Sequence, residues 1–322
     1  MRRFLARRLA HGAAVVFIAA SLSFVLLHLA PGDPFSATLS SLEIDAATKA
    51  QWRNAYGLDR PLVEQYVRFL GQAAIGNLGP SIRFHRPVAD VLAEALPHTL
   101  LLMGTALVLS LVFGVMLGVW QAARRGSIAD RVASTTSLVV ASLPEFWLGV
   151  VLLLLLASRF ALFPSRGAVD ALHDFLSPTD RVIDRIRHLV LPALTLALLS
   201  TAAIARYQRA ALLDVLPQDF VRTARAKGLG ERRVVWVHAL RNALVPTIVL
   251  AGVSLPTLIG GAVFVERIFS WPGLGTVAMD AFQGRDYQVV LGLTMLGAVV
   301  VVVGNLLADI LHAVADPRVR QQ

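Results

Sequence analysis

Long uncharged apolar runs alternate along this chain with shorter segments that hold nearly all its charge. Six runs are long enough to cross a bilayer as helices: 9–30, 99–121, 132–157, 188–205, 242–265 and 287–308. The third is interrupted by Pro144 and by Glu145, the one acid well inside an apolar run. The segment 31–97 is polar and mixed in sign, and 45–56 and 61–74 carry the spacing of short amphipathic helices. Gly76-Asn77-Leu78-Gly79-Pro80 reads as a turn. The pattern predicts an all-α membrane protein of six transmembrane helices. Its parts are an anchor helix at 1–30, an extracytoplasmic segment at 31–97, a five-helix core at 98–311 containing the loop 206–241, and a cytoplasmic tail at 312–322.

Charge gives the pattern a direction. Four arginines and no acid precede the first run, three bases and one acid follow the second, and eight bases and three acids follow the fourth. The intervening segments balance seven acids with six bases, four with five, and three with two. Every basic-rich segment therefore falls on one side of a six-span chain, which predicts that both termini are cytoplasmic. The first run is too long for the core of a signal peptide, and Ala30-Pro31-Gly32-Asp33-Pro34 is a poor cleavage site, so it is read as a retained anchor. The net charge of +9 is assigned to orientation and to anionic lipid rather than to nucleic acid. Apolar residues make up 56% and charged residues 16%, too few polar groups to coat a soluble domain. With no cysteine there is no disulfide framework and no thiolate chemistry.

The most informative polar stretch is 219–246. After Pro217, the run from Asp219 to Lys227 predicts a short helix, with Gly228 at its C-terminal cap. Phe220, Ala224 and Lys227 share a face, and Arg222, Arg225 and Lys227 ring it with cationic donors. A small-residue face ended by glycine suits close approach by another protein's backbone. The same pattern equally suits an amphipathic segment resting on anionic headgroups. A second amphipathic helix is expected at 231–240.

Two residues stand out inside the third run. Glu145 is costly within a membrane, and Pro144 frees a backbone carbonyl and bends a helix. They are candidates for a gate lining a pathway. Alternatively, Glu145 begins a helix in a solvated re-entrant pocket. His28 and His98 lack a neighbouring ligand at metal spacing and read as interfacial residues, and no cofactor or metal is expected in the chain. Trp147, Trp236 and Trp271 are candidate belt residues, with Trp271-Pro272-Gly273 more suited to a compact outer turn. Gly260-Gly261 allows close helix packing, within one subunit or between two. The only lysines, Lys49 and Lys227, are followed by Ala50 and Gly228, so neither belongs to a Walker A loop. No zinc-protease or nucleophile-elbow motif is present.

Arg222-Thr223-Ala224-Arg225-Ala226-Lys227-Gly228-Leu229, followed by His238-Ala239-Leu240-Arg241-Asn242-Ala243-Leu244-Val245-Pro246, resembles the inner-membrane permease subunits of bacterial ABC importers, in the dipeptide, oligopeptide and nickel branch. Ala30-Pro31-Gly32-Asp33-Pro34, Leu96-Pro97-His98-Thr99-Leu100, Leu143-Pro144-Glu145-Phe146-Trp147, Phe269-Ser270-Trp271-Pro272-Gly273-Leu274-Gly275 and Asp316-Pro317-Arg318 extend the resemblance along the chain. The generic loop motif of such permeases, Glu-Ala-Ala-x3-Gly-x9-Ile-x-Leu-Pro, is matched at Ala224, Gly228 and Leu240, while Arg222, Thr223, His238 and Arg241 depart from it.

The resemblance implies a type I importer fold in the bacterial cytoplasmic membrane. It makes Arg222, Thr223, Ala224, Arg225, Lys227 and Gly228 the coupling element for a cytosolic ATPase. It implies a second homologous permease subunit, forming a heterodimer, two ATPase subunits that hold ATP and magnesium, and an extracytoplasmic substrate-binding protein. Peptides are the expected cargo, with nickel, glutathione or another small solute as alternatives. An ion-coupled transporter would call for several buried acids and no docking motif, and an intramembrane enzyme would need a catalytic partner for Glu145.

Overall fold

The structure, a computed structural model, describes residues 2–29 and 59–315, with side chains throughout except at 2–6, 27, 249, 251–261 and 307–315. The described residues are mostly helical, and their one β feature is an isolated bridge between Pro80 and Pro87. In chain order the helices are α1 (Arg2–Leu29), α2 (Leu62–Ala74), α3 (Val88–Ala123), α4 (Ile128–Ala141), α5 (Glu145–Leu152), α6 (Pro178–Val215), α7 (Asp219–Ala226), α8 (Leu240–Ile268), α9 (Leu274–Gln283) and α10 (Tyr287–Ala315). α5 continues as a π-helical turn, Leu153–Arg159. α8 is entered through Glu231–Arg233 and a second π-helical turn, Val234–Ala239. The separate helix expected at 231–240 is thus the lead-in to α8.

Four helices among the described residues are long and apolar enough to cross a membrane, and a fifth if α4 and the helical segment from Glu145 to Arg159 count as one bent span. α8, at 29 residues, takes the place of the run 242–265. The helices outrun the apolar runs that announced them. α6 is 38 residues long, about 57 Å at the α-helical rise, against a hydrocarbon core of about 30 Å. Its start is fixed by Ser177, whose side chain accepts from the Asp180 amide at 3.3 Å, with Pro178 in the first turn. The neighbouring charges at 178–187 and 206–215 are compatible with helix, so polarity ends the apolar run without ending the helix. α3 likewise begins at Val88 and continues through Pro97. The expected amphipathic helix at 61–74 is α2, while that at 45–56 lies outside the described residues.

The chain divides into two compact units: Met1–His98 with Gly273–Val302, and Thr99–Pro272 with Val303–Gln322. In the first, α2 lies against α1, where Phe24 stacks on Phe69 at 5.6 Å and Ser21 shares a 2.6 Å hydrogen bond with Tyr66. A core of Val88, Leu92, Ala281, Val289 and Val290 closes around Asp286. The Asp286 carboxylate accepts from Ser81 Oγ at 2.6 Å, the Arg83 amide at 2.9 Å and the Val289 amide at 3.2 Å, so one buried acid both caps α10 and ties down the turn before α3.

In the second unit, Leu102, Leu191, Leu196, Val265, Phe269 and Trp271 form one cluster. Trp271 is 2% exposed and belongs to this core, so it is not a belt residue; Trp147 and Trp236 are exposed. A second cluster joins Val119 and Ala122 of α3 to Leu212 and Val215 of α6, Val221 and Ala224 of α7, and Val234, Val235 and Ala239 of the lead-in. Between α3 and α6 the backbones nearly touch. A Cβ on Gly118 would sit 2.6 Å from the Ala205 carbonyl oxygen and 3.0 Å from the Arg209 amide nitrogen, and one on Gly114 would meet Ile204 at 2.6 Å. Gly114 and Gly118 make the small-xxx-small spacing that lets helices pack at backbone distance in lipid. The close packing foreseen at Gly260-Gly261 falls where side chains are not described.

Gly118→Ala is expected to lower the thermal midpoint of the purified protein, at a cost of about 1–3 kcal/mol, because the obstructing atoms are backbone and cannot rotate away. Gly104→Ala, where a Cβ meets nothing within 4 Å, is the control and leaves the midpoint unchanged or raised. Equal midpoints for the two variants would show that the α3–α6 contact is not tight.

Candidate functional site

The loop after α6 folds into a compact cap. α6 ends at Val215, Pro217 follows, and Gln218 rather than Pro217 opens α7, with its carbonyl accepting from the amides of Val221 at 3.0 Å and Arg222 at 3.2 Å. Asp219 in the first turn suits the positive end of the helix. At the other end Lys227 is the last residue of helical character, and Gly228 adopts φ +77°, with its amide donating to the Arg225 carbonyl at 2.9 Å. Its glycine is required by that left-handed turn. A Cβ there would meet nothing within 4 Å, so close approach is not what demands glycine within this chain.

The two sides of α7 are sharply divided. Val221 is 0% and Ala224 5% exposed, both within the core shared with α3, α6 and the lead-in to α8. Ala224 therefore faces this chain's own core. This corrects the expectation that it lies with Phe220 and Lys227 on a surface offered to another protein: residues three and four apart share a face only broadly, and on a two-turn helix the apolar seam runs along 221 and 224. Phe220, Arg222, Thr223, Arg225, Ala226 and Lys227 are exposed. Within that outer set, Thr223 Oγ1 donates back to the Asp219 carbonyl at 2.9 Å. Arg225 grips Glu231 with two parallel bonds, Nε to Oε2 at 3.0 Å and Nη2 to Oε1 at 2.7 Å. The Arg225 side chain thus staples the end of α7 to the start of the lead-in, and the hydrogen bonds hold the Glu231 carboxyl below the usual carboxylate range.

Pro144 and Glu145 stand on a different element. α4 and α5 meet at an angle of 105°, with Pro144 as the residue before α5 and its carbonyl accepting from the Leu148 amide at 3.1 Å. Glu145 occupies the first turn of α5, half-buried, where the helix dipole favours a carboxylate. Of the two alternatives for Glu145, this is the placement at a helix start beside a break. Among the described residues, no hydrogen bond or ion pair joins this elbow to α7. His28 and His98 bond the backbone carbonyls of Phe24 at 2.8 Å and Glu94 at 3.1 Å, one turn earlier on their own helices.

Several buried acids escaped the apolar pattern. Glu266, 0% exposed, accepts from Thr99 Oγ1 at 2.7 Å. Asp184 accepts from His173 Nδ1 at 2.7 Å and the Asp170 amide at 3.0 Å, and His188 Nδ1 lies 3.1 Å from its other oxygen. Asp130, 2% exposed, accepts from Arg209 twice, Nε to Oδ1 at 3.0 Å and Nη2 to Oδ2 at 2.8 Å, and also from the Gly126 amide at 3.0 Å and Ser134 Oγ at 3.3 Å. The Ser127-x-x-Asp130 spacing, with the Asp130 amide donating to Ser127 Oγ at 3.1 Å, is a helix-start signature readable in the sequence. Nothing comparable announces Glu266. Among the described residues no group of three or more His, Cys, Asp or Glu side chains could hold a metal ion.

Comparison with known proteins places this architecture. Residues 114–321 match the family described as binding-protein-dependent transport system inner membrane component, and residues 1–103 match its N-terminal membrane-component family. The oligopeptide transport system permease protein AppB of Bacillus subtilis is 43% identical over 299 residues, 92% of this chain and 93% of that protein. The di/tripeptide transport system permease protein DppB of Pseudomonas aeruginosa is 40% identical over the full length of both. The glutathione transport system permease protein GsiC of Escherichia coli is 35% identical over 99% of each. An inward-facing structure of the MetNI methionine ABC transporter superposes with a TM-score of 0.57 at 20% identity, covering 70% of this chain and 96% of the matched chain, a likeness of fold. A helical membrane chain with these relatives along its whole length belongs to the inner-membrane components of binding-protein-dependent transport systems, the permease subunits of ABC importers.

Proposed function

We propose that this chain is the permease subunit of an ATP-driven importer that carries di- or oligopeptides across the bacterial cytoplasmic membrane. The observation that carries this reading is the full-length similarity to oligopeptide and di/tripeptide permeases. In the arrangement proposed, six helices span the bilayer with both termini in the cytosol, α8 supplies the fifth span and the bent pair α4–α5 the third. The segments are the anchor at 1–30, the extracytoplasmic segment at 31–97, the core at 98–311 with its coupling loop at 206–241, and the tail at 312–322. The chain pairs with a second, homologous permease, and two cytosolic ATPases hold ATP and magnesium. A substrate-binding protein docks on the outer side. The glutathione permease among the relatives favours a second reading, in which the cargo is glutathione, itself a modified tripeptide.

α7 is the proposed coupling helix. Support comes from its exposed basic face, Arg222 and Lys227 beside Phe220 and Thr223, and from its firm seating on the ends of α3, α6 and α8. A helix seated in this way moves as a rigid body with the spans it caps. Arg225, Ala224 and Gly228 hold the shape of the element, and Arg222, Thr223 and Lys227 present it to an ATPase. Pro144 and Glu145 are proposed to form the pathway's bend.

Purified with its natural associates, the chain is expected to bring ATPase subunits with it, and the reconstituted complex with its binding protein is expected to take up radiolabelled di- or tripeptides. Uptake of glutathione alone would select the second reading, and a chain that transports without ATPases would refute both. Gly228→Val, which forces a β-branched residue to positive φ, is expected to leave membrane insertion intact and to cut transport per ATP hydrolysed by about tenfold or more, a coupling loss within the usual range. Native transport by that variant would refute the coupling assignment.

The Arg225–Glu231 staple has its own pH signature. The folded Glu231 pKa is lowered, so its contribution is complete above the ordinary carboxylate pKa of about 4.3 and is lost as pH falls through the lower folded value. Both side chains are largely exposed, which limits the staple to about 1 kcal/mol or less. Amide hydrogen exchange over 219–234, corrected for intrinsic rates, is expected to stay protected from pH 7 to about pH 5 and to rise only in stronger acid. Glu231→Gln is expected to show the raised exchange at every pH, and native-like protection in that variant would show that the staple does not order the loop.

A further inference from the structure

α4 is held to the protein in an unusual way. Its buried residues are Asp130 and Ser137, and of its large apolar side chains Ile128, Val132, Leu138 and Val139 are exposed. It packs along α6 with no large apolar side chain fully buried, Val140 alone among them being half-buried. In lipid, apolar contact gives little driving force between helices, so polar links carry a larger share of the attachment. The strongest link on α4 is the bidentate ion pair from Asp130 to Arg209 of α6, which spans 79 residues of sequence. The Asp130 side chain is 3% exposed, and both its oxygens are occupied by Arg209, the Gly126 amide and Ser134. Such a fork fixes orientation as well as distance.

The other arm of the bent pair is anchored differently. On α5, Leu148 and Gly149 are buried, and a Cβ on Gly149 would sit at van der Waals distance from Thr195 of α6 and from Ile268 and Phe269. α6 therefore holds α5 near Thr195 and α4 at Arg209, about 21 Å apart along one helix. The 105° elbow at Pro144 lies between the two arms. At its C-terminal end the same helix carries Leu212 and Val215, which share a core with Val221 and Ala224 of α7 and with Val234 and Val235 of the lead-in.

We infer that the Asp130–Arg209 pair is the positioning link that makes α4 follow α6, so that a displacement of α7 reaches the elbow at Pro144. This rests on the reading of α7 as the coupling helix. α6 alone moves α5 through apolar packing; α4 follows because the fork forbids it to slide. The two residues touch neither cargo nor nucleotide and act through the elbow they orient.

The test uses the complete transporter in liposomes, with Asp130→Asn, Arg209→Gln and the double variant. Each single variant is expected to assemble and hydrolyse ATP at near-native rates, while transport per ATP falls by about fivefold or more. The double variant is expected to be no worse than the worse single, and Arg209→Lys is expected to recover part of the loss. Native transport per ATP in the assembled single variants would overturn the inference. So would losses of ATPase and transport that merely track the amount of assembled complex, which is what a purely structural role predicts.

A second measurement needs neither variant. The chain has no cysteine, so spin labels at Val139→Cys on α4 and Tyr207→Cys on α6, both exposed positions, report a single distance. That distance is expected to stay constant between the nucleotide-free and ATP-trapped states, and a change would overturn the inference even if the charge variants fail to insert. Gly228→Val separates this from the underlying reading: if it too transports normally, the coupling helix is misassigned, whereas loss in that variant alone leaves the coupling helix standing and removes the link.

Discussion

The contact on which much of the second unit rests is the near-touch of two backbones, α3 at Gly118 and α6 between Ala205 and Arg209. Absence of side chains at 114 and 118 lets the helices approach until main-chain atoms set the distance. The core beyond depends on that spacing. Val119 and Ala122, one residue and one turn farther along α3, can meet Leu212, Val215, Val221 and Ala224 only if α3 and α6 are this close. A larger separation would draw Val119 and Ala122 away from the core that α7 shares with the lead-in to α8. At Gly114 and Gly118 α3 brings no side chain to the contact, in keeping with a lipid setting where dispersion and polar links rather than water exclusion hold helices together.

Polar groups in the interior are used as joints. Asp286 ties the start of α10 to the turn before α3, Glu266 takes the hydroxyl of Thr99, Asp184 gathers two histidines and an amide, and Asp130 receives four donors. Each carboxylate has partners enough to offset much of the cost of leaving water, and Asp286, Glu266 and Asp130 connect segments far apart in sequence. The buried glutamines are less complete. Gln208 accepts from Thr247 Oγ1 at 2.8 Å but leaves its amide nitrogen unmatched among the described residues, as does Gln121 for both its polar atoms. Such sites suit ordered water.

The sequence made the helical class, the apolar stretches of the long helices and the basic character of the loop after α6 legible, because apolar runs and clustered arginines are strong one-dimensional signals. It misplaced helix ends, since Arg206, Arg209 and Asp214 are as acceptable to a helix as to a loop. It put Ala224 on the outer face because small residues look alike whether they yield room to a partner or to Leu212. It counted Glu145 as the one acid within an apolar run, while the deeply buried Glu266 and Asp130 stand at run edges where charge looks ordinary. Gly114 and Gly118 were visible as a spacing, yet only the α6 backbone opposite them shows which of the many glycines is indispensable.

The shortness of α7 limits what its surface can do. With eight residues it has two turns, and two of those residues are committed inward. Rotation by a single residue position, about 100°, would push Arg222 or Arg225 towards the core and bring Val221 or Ala224 into water. The helix has no intermediate orientation that satisfies both sides, and the Arg225–Glu231 fork blocks the first degrees of any such turn. A partner docked here as proposed would have to adapt its own shape: the fit would be adjustable on the partner's side alone, and a push delivered there would be passed on as translation with little of it lost to rolling.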